Sequence, residues 1–198
     1  REAATLDDSQ PPPVMSHRVH RMIRELSGHN DPYRDVKDRF NRFALEQLPR
    51  YRQLVADSAA PLETAVRLAI AGNVIDFGPY SDVDEDRVEQ TVAKALRAPI
   101  PRDEIVSLAA AVQQADEILY LADNAGEIVF DRLLIEQLPE DRVTVVVKGG
   151  PAVNDATMDD AVSIGLDDLV SVIGNGSDAP GTLLDDCSPA FRGRFEQA

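Results

Sequence analysis

Glu117-Ile118-Leu119-Tyr120-Leu121-Ala122-Asp123-Asn124-Ala125-Gly126-Glu127 is the stretch that decides the fold. It is apolar for the length of a strand, over residues 118–122, and then stops at an acid–amide pair. A helical pattern follows at once, carried by Phe130, Leu133, Leu134 and Leu138 and ended by Pro139. A buried strand that ends in polar groups and turns directly into a helix is how open α/β sheets present ligand-binding residues.

The unit recurs downstream. Val143-Thr144-Val145-Val146-Val147 is β-branched without polar alternation, the mark of a strand buried on both faces. It ends at Lys148-Gly149-Gly150-Pro151, with Asn154-Asp155-Ala156-Thr157 just beyond. A helix bearing Met158, Ala161 and Val162 stops at Gly165. A third strand, over residues 169–173, ends in the glycine-rich loop 174–181. Strands alternating with helices predict a parallel sheet with right-handed crossovers, so all three strand ends gather at one edge. Asp123 and Asp155 are separated by about 30 residues, the length of one βαβ unit, which lets the two acids meet.

Ahead of this unit the pattern is helical. Residues 1–13 have no apolar period, end in three prolines and read as an exposed or partly disordered lead-in. Val19, Met22, Ile23 and Leu26 form a stripe closed by Gly28. Asp31-Pro32 reads as a helix start, with Asp31 as N-cap. Val36, Phe40, Phe43, Ala44 and Leu48 continue it to Pro49, and Tyr51, Leu54 and Val55 suggest a further short helix. Pro61 opens a segment stopped by Gly72, and a breaker-bounded turn runs over residues 72–79. Residues 81–86 read as an acidic loop. Val88, Val92, Ala95 and Leu96, then Ile105, Leu108, Ala109 and Val112, mark two more helices. Some six helical segments over residues 14–112 therefore need a partner surface, which the sheet of residues 113–198 supplies. The expected fold is α/β, a helical N-terminal layer packed on a Rossmann-like, mainly parallel three-layer sheet.

Composition narrows the function. The chain has 198 residues, enough for one large domain or two small ones sharing a core. Its net charge is −15, and Lys37, Lys94 and Lys148 are its only lysines. No basic stripe is available to neutralise phosphates, which argues against nucleic-acid or anionic-membrane partners. Cys187 is the single cysteine, which excludes an intramolecular disulfide and a Cys-rich zinc site. It reads as buried rather than catalytic, within a polar loop over residues 185–188. With no signal-type segment and no apolar run of spanning length, the chain reads as cytoplasmic.

The strand ends carry the chemistry. The Asp123 carboxylate, Asn124 amide oxygen and Asp155 carboxylate are hard oxygen donors that suit Mg²⁺ or Mn²⁺. Lys148 and the Gly149-Gly150 backbone are placed to approach a phosphate, and Ser177 and Asp178 sit in the loop beside them. Glu127 reads as a site acid, and Asp131 as a charge complementing the helix dipole. Asn73 either caps a turn or faces substrate. Asp-Asn pairs also form turns, and Asn154-Asp155-Ala156-Thr157 is equally a helix-capping sequence. His17, His20 and His29 read as solvated rather than as metal ligands. Nucleotide-binding glycine signatures are absent.

Several stretches occur together in one order: Asp31-Pro32-Tyr33 with Lys37, residues 72–78, Asp123-Asn124-Ala125-Gly126-Glu127 with Phe130-Asp131, residues 148–151, Asn154-Asp155-Ala156-Thr157 and residues 176–181. As a set they resemble the domain-of-unknown-function-89 family of metal-dependent damage-control phosphatases, over roughly residues 14–195. The resemblance implies hydrolysis of phosphate monoesters of sugar phosphates or damaged phosphometabolites, with Mn²⁺, Co²⁺, Ni²⁺ or Mg²⁺ as cofactor. It puts the metal triad on Asp123, Asn124 and Asp155, with Asp123 and Asp155 as catalytic residues. A metal-activated water is the expected nucleophile, and direct attack by a carboxylate stays open. Haloacid-dehalogenase phosphatases attack in that way but need Asp-x-Asp, where this chain has Asp123-Asn124-Ala125. Relatives often begin with a Cys-x-x-Cys segment and continue into another strand and a Lys-Gly-x-x-Asn phosphate loop. Neither is present, so truncation at both ends is expected. The alternative reading is a non-catalytic metal- or sugar-phosphate-binding module, or an inactive fragment of such an enzyme.

Overall fold

The β-branched run makes the centre of the sheet. It forms β2 (Val143–Val147), buried at every position, between β1 (Ile118–Leu121) and β3 (Ser171–Gly174). All three strands are parallel in the order β1-β2-β3, with Tyr120 beside Val145 and Val145 beside Val172. The structure, a computed structural model, describes residues 12–75 and 85–198. Most of the proline-ended lead-in, the turn at Asp76, Phe77, Gly78 and Pro79, and most of the acidic loop lie outside the described residues.

The expected layers are present. Val143, Val145 and Val147 pack into the main core with residues of α6 (Glu127–Ile135) and α7 (Met158–Ser163), the two crossover helices. Val146 belongs to a smaller cluster with Leu119, Ile173, Cys187 and Phe191 of α8 (Pro189–Phe195), which covers the other face. Cys187 is buried there, as the sequence suggests. The end of the expected polar loop instead starts α8: Ser188 Oγ accepts from Phe191 N–H at 3.2 Å, and Pro189 occupies the first turn.

Five helices, rather than six segments, form the N-terminal layer among the described residues. They are α1 (Pro12–Ser27), α2 (Arg34–Ala56), α3 (Pro61–Val74), α4 (Glu85–Arg97) and α5 (Arg102–Gln114). The difference lies at Pro49, which sits inside α2 instead of ending it. An interior proline costs about 3 kcal/mol. Leu48, Tyr51 and Val55 are buried in phase across it, and each buried side chain returns roughly 1.5–3 kcal/mol. Packing therefore outweighs the break. Helix α1 also begins before the expected boundary, and residues 169–170 form a turn bonded back to Leu166 instead of strand. Asp31 does not cap α2; its Oδ1 accepts from Tyr33 N–H at 3.1 Å, and Tyr33 holds the cap position. Among the described residues no helix is long and apolar enough to cross a membrane.

Gly72 does not stop α3, which runs on to Val74. A Cβ at this position would lie 2.7 Å from Phe130 Cβ, so glycine is needed where α3 meets α6. An Ala in place of Gly gains about 1 kcal/mol of helix propensity. Overpacking costs roughly 1–3 kcal/mol. Gly72→Ala should therefore leave the chain less stable by urea denaturation, despite its better helix propensity. A stabilised variant would refute the close α3–α6 contact.

Candidate active site

The loops leaving β1 and β2 are tied main chain to main chain. Ala125 N–H donates to Asn154 O at 2.9 Å and Ala156 N–H to Asp123 O at 2.7 Å, around an antiparallel bridge between Asn124 and Asp155. Lys148 N–H donates to Ala156 O at 2.9 Å, closing the same loop onto the end of β2. Asp123, Asn124, Lys148 and Asp155 thus come together at the carboxyl edge of the sheet. Gly126, at φ +83°, permits the sharp turn from this loop into α6.

The donor set fits a hard cation. Asp155 is 6% exposed, and its Oδ2 has no hydrogen-bond partner among the described residues. Lys148 Nζ stands 3.3 Å from that oxygen as an ion pair, without the alignment of a hydrogen bond. Burial raises the Asp155 pKa to about 6; the Lys148 charge opposes this and the Asp123 charge adds to it. An unsatisfied buried acceptor costs on the order of 1–3 kcal/mol, and more when charged. A divalent ion would satisfy it. Asn124 Nδ2 donates to Glu127 Oε2 at 3.0 Å, so Oδ1 is the end of the amide that can serve as a ligand. Asp123 is exposed and reachable from solvent.

The other expected site residues occupy distinct places. Glu127 is buried, and its second oxygen accepts from Asn73 Nδ2 at 3.0 Å. Asn73 thereby joins α3 to the site. Lys148 donates to Gly181 O, drawing the third loop toward β2. Ser177 is 1% exposed, with Oγ donating to Asp186 Oδ2 at 2.5 Å and accepting from Ala179 N–H at 3.0 Å. Asp178 pairs with His17 Nε2 at 2.5 Å, with Arg21 at 3.1 Å and with Arg24, all on α1. His17 is thus enclosed, with a side chain 11% exposed, rather than solvated. Ligand atoms of His17, Asp178 and Asp186 do lie within 4.8 Å of one another. With arginines on both Asp178 oxygens, this cluster is a clamp between α1 and the third loop.

Asp131 is no helix-dipole charge. It is buried under β1 and accepts from the Tyr120 hydroxyl at 2.7 Å. Burial first, then the charges of Glu127 and Asp123, push its pKa up to about 8 against the opposing bond from Tyr120. Sequence reasoning also missed a buried network on α2. Lys37, 0% exposed, stands 2.8 Å from Asp160 Oδ2 and 3.1 Å from Asp31 Oδ2. Burial alone would raise the Asp160 pKa, but the Lys37 charge and bonds from Lys37 and Thr157 hold it below the usual range. The signal was present: Lys37 and Asn41 continue, at helical spacing, the buried stripe of Ala44, Leu48, Tyr51 and Val55.

Comparison with known proteins agrees with the motifs. The damage-control phosphatase ARMT1-like domain matches residues 2–198. An uncharacterized protein of Methanocaldococcus jannaschii is 38% identical over 197 residues, covering 96% of this chain and 64% of that protein. A damage-control phosphatase of Archaeoglobus fulgidus is 34% identical, covering 94% of this chain and 66% of its own length. The crystal structure of a DUF89 family protein from Pyrococcus horikoshii superposes with a TM-score of 0.79 at 32% identity, over 92% of this chain and 63% of that one. The chain belongs to the damage-control phosphatase ARMT1-like family. It spans 63–66% of the length of these relatives.

The clamp has a defined pH dependence. Burial would raise the Asp178 pKa, but bonds from Arg21, His17 and Arg24 outweigh it and hold the carboxyl far below its usual range. Such a group adds stability above its unfolded pKa, near 3.9. That stability is lost only as pH falls toward the folded value. Asp178→Asn should lower the Tm at pH 7 by about 2–4 °C, a loss on the order of 1 kcal/mol. In thermal melts followed by circular dichroism, the gap from the parent should shrink below roughly pH 4. A gap that stays constant from pH 7 to about pH 3 would contradict the charged clamp.

Proposed function

We propose that this chain carries the metal site of a metal-dependent phosphatase that hydrolyses phosphate monoesters of small metabolites, either sugar phosphates or damaged phosphometabolites. The observation that carries the reading is the buried, unbonded Oδ2 of Asp155, tied by main chain to Asp123 and Asn124 at the sheet's carboxyl edge. The Archaeoglobus fulgidus relative is named a damage-control phosphatase, in keeping with it.

Asp123, Asn124 and Asp155 would hold Mn²⁺, Co²⁺, Ni²⁺ or Mg²⁺. When bound, such an ion supplies Lewis acidity toward a phosphoryl oxygen and a water acidified toward neutral pH. The chain's own groups do the rest. Glu127 fixes the Asn124 amide so that oxygen, not nitrogen, faces the site. Lys148 is a buried cation next to Asp155, placed to offset charge on a phosphate as a point charge. Gly149 and Gly150 let the third loop close on this edge, since a Cβ at Gly149 would meet the Gly176 backbone and one at Gly150 the Asp178 side chain. Ser177 and Asp178 support this edge through the third loop and its clamp. The ligand is a small phosphorylated metabolite; the acidic chain is a poor match for nucleic acid or anionic membrane, and a cytoplasmic setting suits the substrate.

A second reading, a metal- or sugar-phosphate-binding module without turnover, is favoured by the 63–66% span of the relatives. Turnover separates the two. The purified chain should hydrolyse an aryl phosphate with added Mn²⁺, Co²⁺, Ni²⁺ or Mg²⁺ and not in excess chelator. Asp123→Ala should reduce the rate by more than the roughly 10–100-fold typical of losing an outer-shell partner. Metal binding without turnover selects the binding module, and turnover that persists in chelator sinks the metal mechanism.

A further inference from the structure

The loops bearing Asp123, Asn124 and Asp155 meet a second time, at a polar network buried on α2. One amide joins them. Asn41, 2% exposed, accepts from Gly126 N–H through Oδ1 at 2.7 Å and donates through Nδ2 to Asp160 Oδ1 at 3.0 Å. The other carboxylate oxygen of Asp160 accepts from Thr157 N–H at 2.9 Å and from the Thr157 hydroxyl at 2.6 Å. Thr157 lies two residues past Asp155, and Gly126 two past Asn124. Lys37 balances the Asp160 charge and stands 3.4 Å from the main-chain oxygen of Asp155.

A buried ion pair is a poor route to stability, because apolar residues of similar volume often serve as well; fixing register is its best-attested use. Neighbours on the same stripe, such as Phe40 and Ala44, are apolar, so a polar pair here needs a reason of its own. Outer-shell groups that orient ligands supply that reason.

We infer that Asn41, anchored by the Lys37–Asp160 pair, is a positioning residue that sets the separation between the Asp123-Asn124 loop and Asp155. Its bearing on metal binding rests on the reading under Proposed function; the coupling of the two loops does not.

Three variants test this. Asn41→Leu removes both bonds at similar volume. Asn41→Asp sets two carboxylates against each other and supplies the same comparison should leucine prevent folding. Adding Asp160→Asn to Asn41→Asp rebuilds the network with reversed polarity, keeping an acceptor for Gly126 N–H and another for Thr157. Hydrogen exchange by mass spectrometry would follow residues 122–128 and 153–159 against β2 as reference, and titration calorimetry would give the Mn²⁺ affinity. Either single variant should speed exchange roughly 10-fold in both loops and not in β2. It should weaken Mn²⁺ binding by about 10-fold, the lower end for outer-shell partners. The reciprocal double variant should lie within about twofold of the parent in both measurements. Parent-like Mn²⁺ affinity in the single variants, or exchange that rises equally in β2, overturns the inference. Should the parent take up no Mn²⁺, the metal reading falls, and loop-specific exchange alone decides whether the coupling stands.

Discussion

Two main-chain hydrogen bonds, Ala125 N–H to Asn154 O and Ala156 N–H to Asp123 O, hold the candidate site together. They can form only because β1 and β2 run parallel and adjacent, which brings their carboxyl ends to the same height. Parallel pairing needs a crossover helix, and α6 supplies it while packing its apolar face on α2 and α3. The N-terminal layer therefore also secures the geometry of the site, since α6 starts at Gly126 and its first turn carries Glu127. A sheet that slipped by one residue would separate Asp123 from Asp155 and lose both bonds.

Polar burial is concentrated at this edge. Asp155, Lys148, Glu127, Asp131, Lys37, Asn41 and Asp160 are all enclosed, while most other buried residues among those described are apolar. Most of them are paired. Lys37 answers Asp160, the amides of Asn73 and Asn124 answer Glu127, and Asp131 takes the Tyr120 hydroxyl. Asp155 Oδ2 differs, with the Lys148 ammonium 3.3 Å away as an ion pair and no hydrogen bond among the described residues. A buried carboxylate oxygen that holds an ion pair but no hydrogen bond keeps lone-pair capacity for a further ligand.

The strands and their parallel direction were legible because β2 is buried on both faces and a buried parallel strand has little use for polar residues. The meeting of the Asp123-Asn124 loop with the Asp155 loop was legible from the same pattern, as polar groups that follow two apolar runs one βαβ unit apart. Errors arose where packing overruled local preference. Pro49 reads as a break until Leu48, Tyr51 and Val55 are seen buried in phase across it. Gly72 reads as a stop until Phe130 is found against it. Asp131 reads as a surface charge at a helix start, but the side of α6 it occupies faces β1. Lys37 stood out only as part of a motif, and Asn41 not at all, because charged and amide residues are expected on the outside, although their spacing put them on the inside. The resemblance to a family was visible in motifs that no single residue carries, and the agreement of whole-chain comparisons with those motifs has the same origin.

The approach of Gly149 to Gly176 bears on how such a site can diversify. A Cβ on Gly149 would fall 2.4 Å from Gly176 Cα, so one backbone lies directly on another and no side chain stands between them. The wall beside Lys148 is made of peptide groups, whose hydrogen-bonding character is the same in every protein. Gly149 is demanded by volume, and Gly176 also by its backbone, which lies at φ +84°. Chemistry can vary around them, in the loop after β3 and in the helix clamped upon it, without disturbing the surface on which an anion would rest. The contact thus fixes a piece of main chain, and the side chains free to differ in chemistry lie in the loop after β3 and on α1, which is clamped to it.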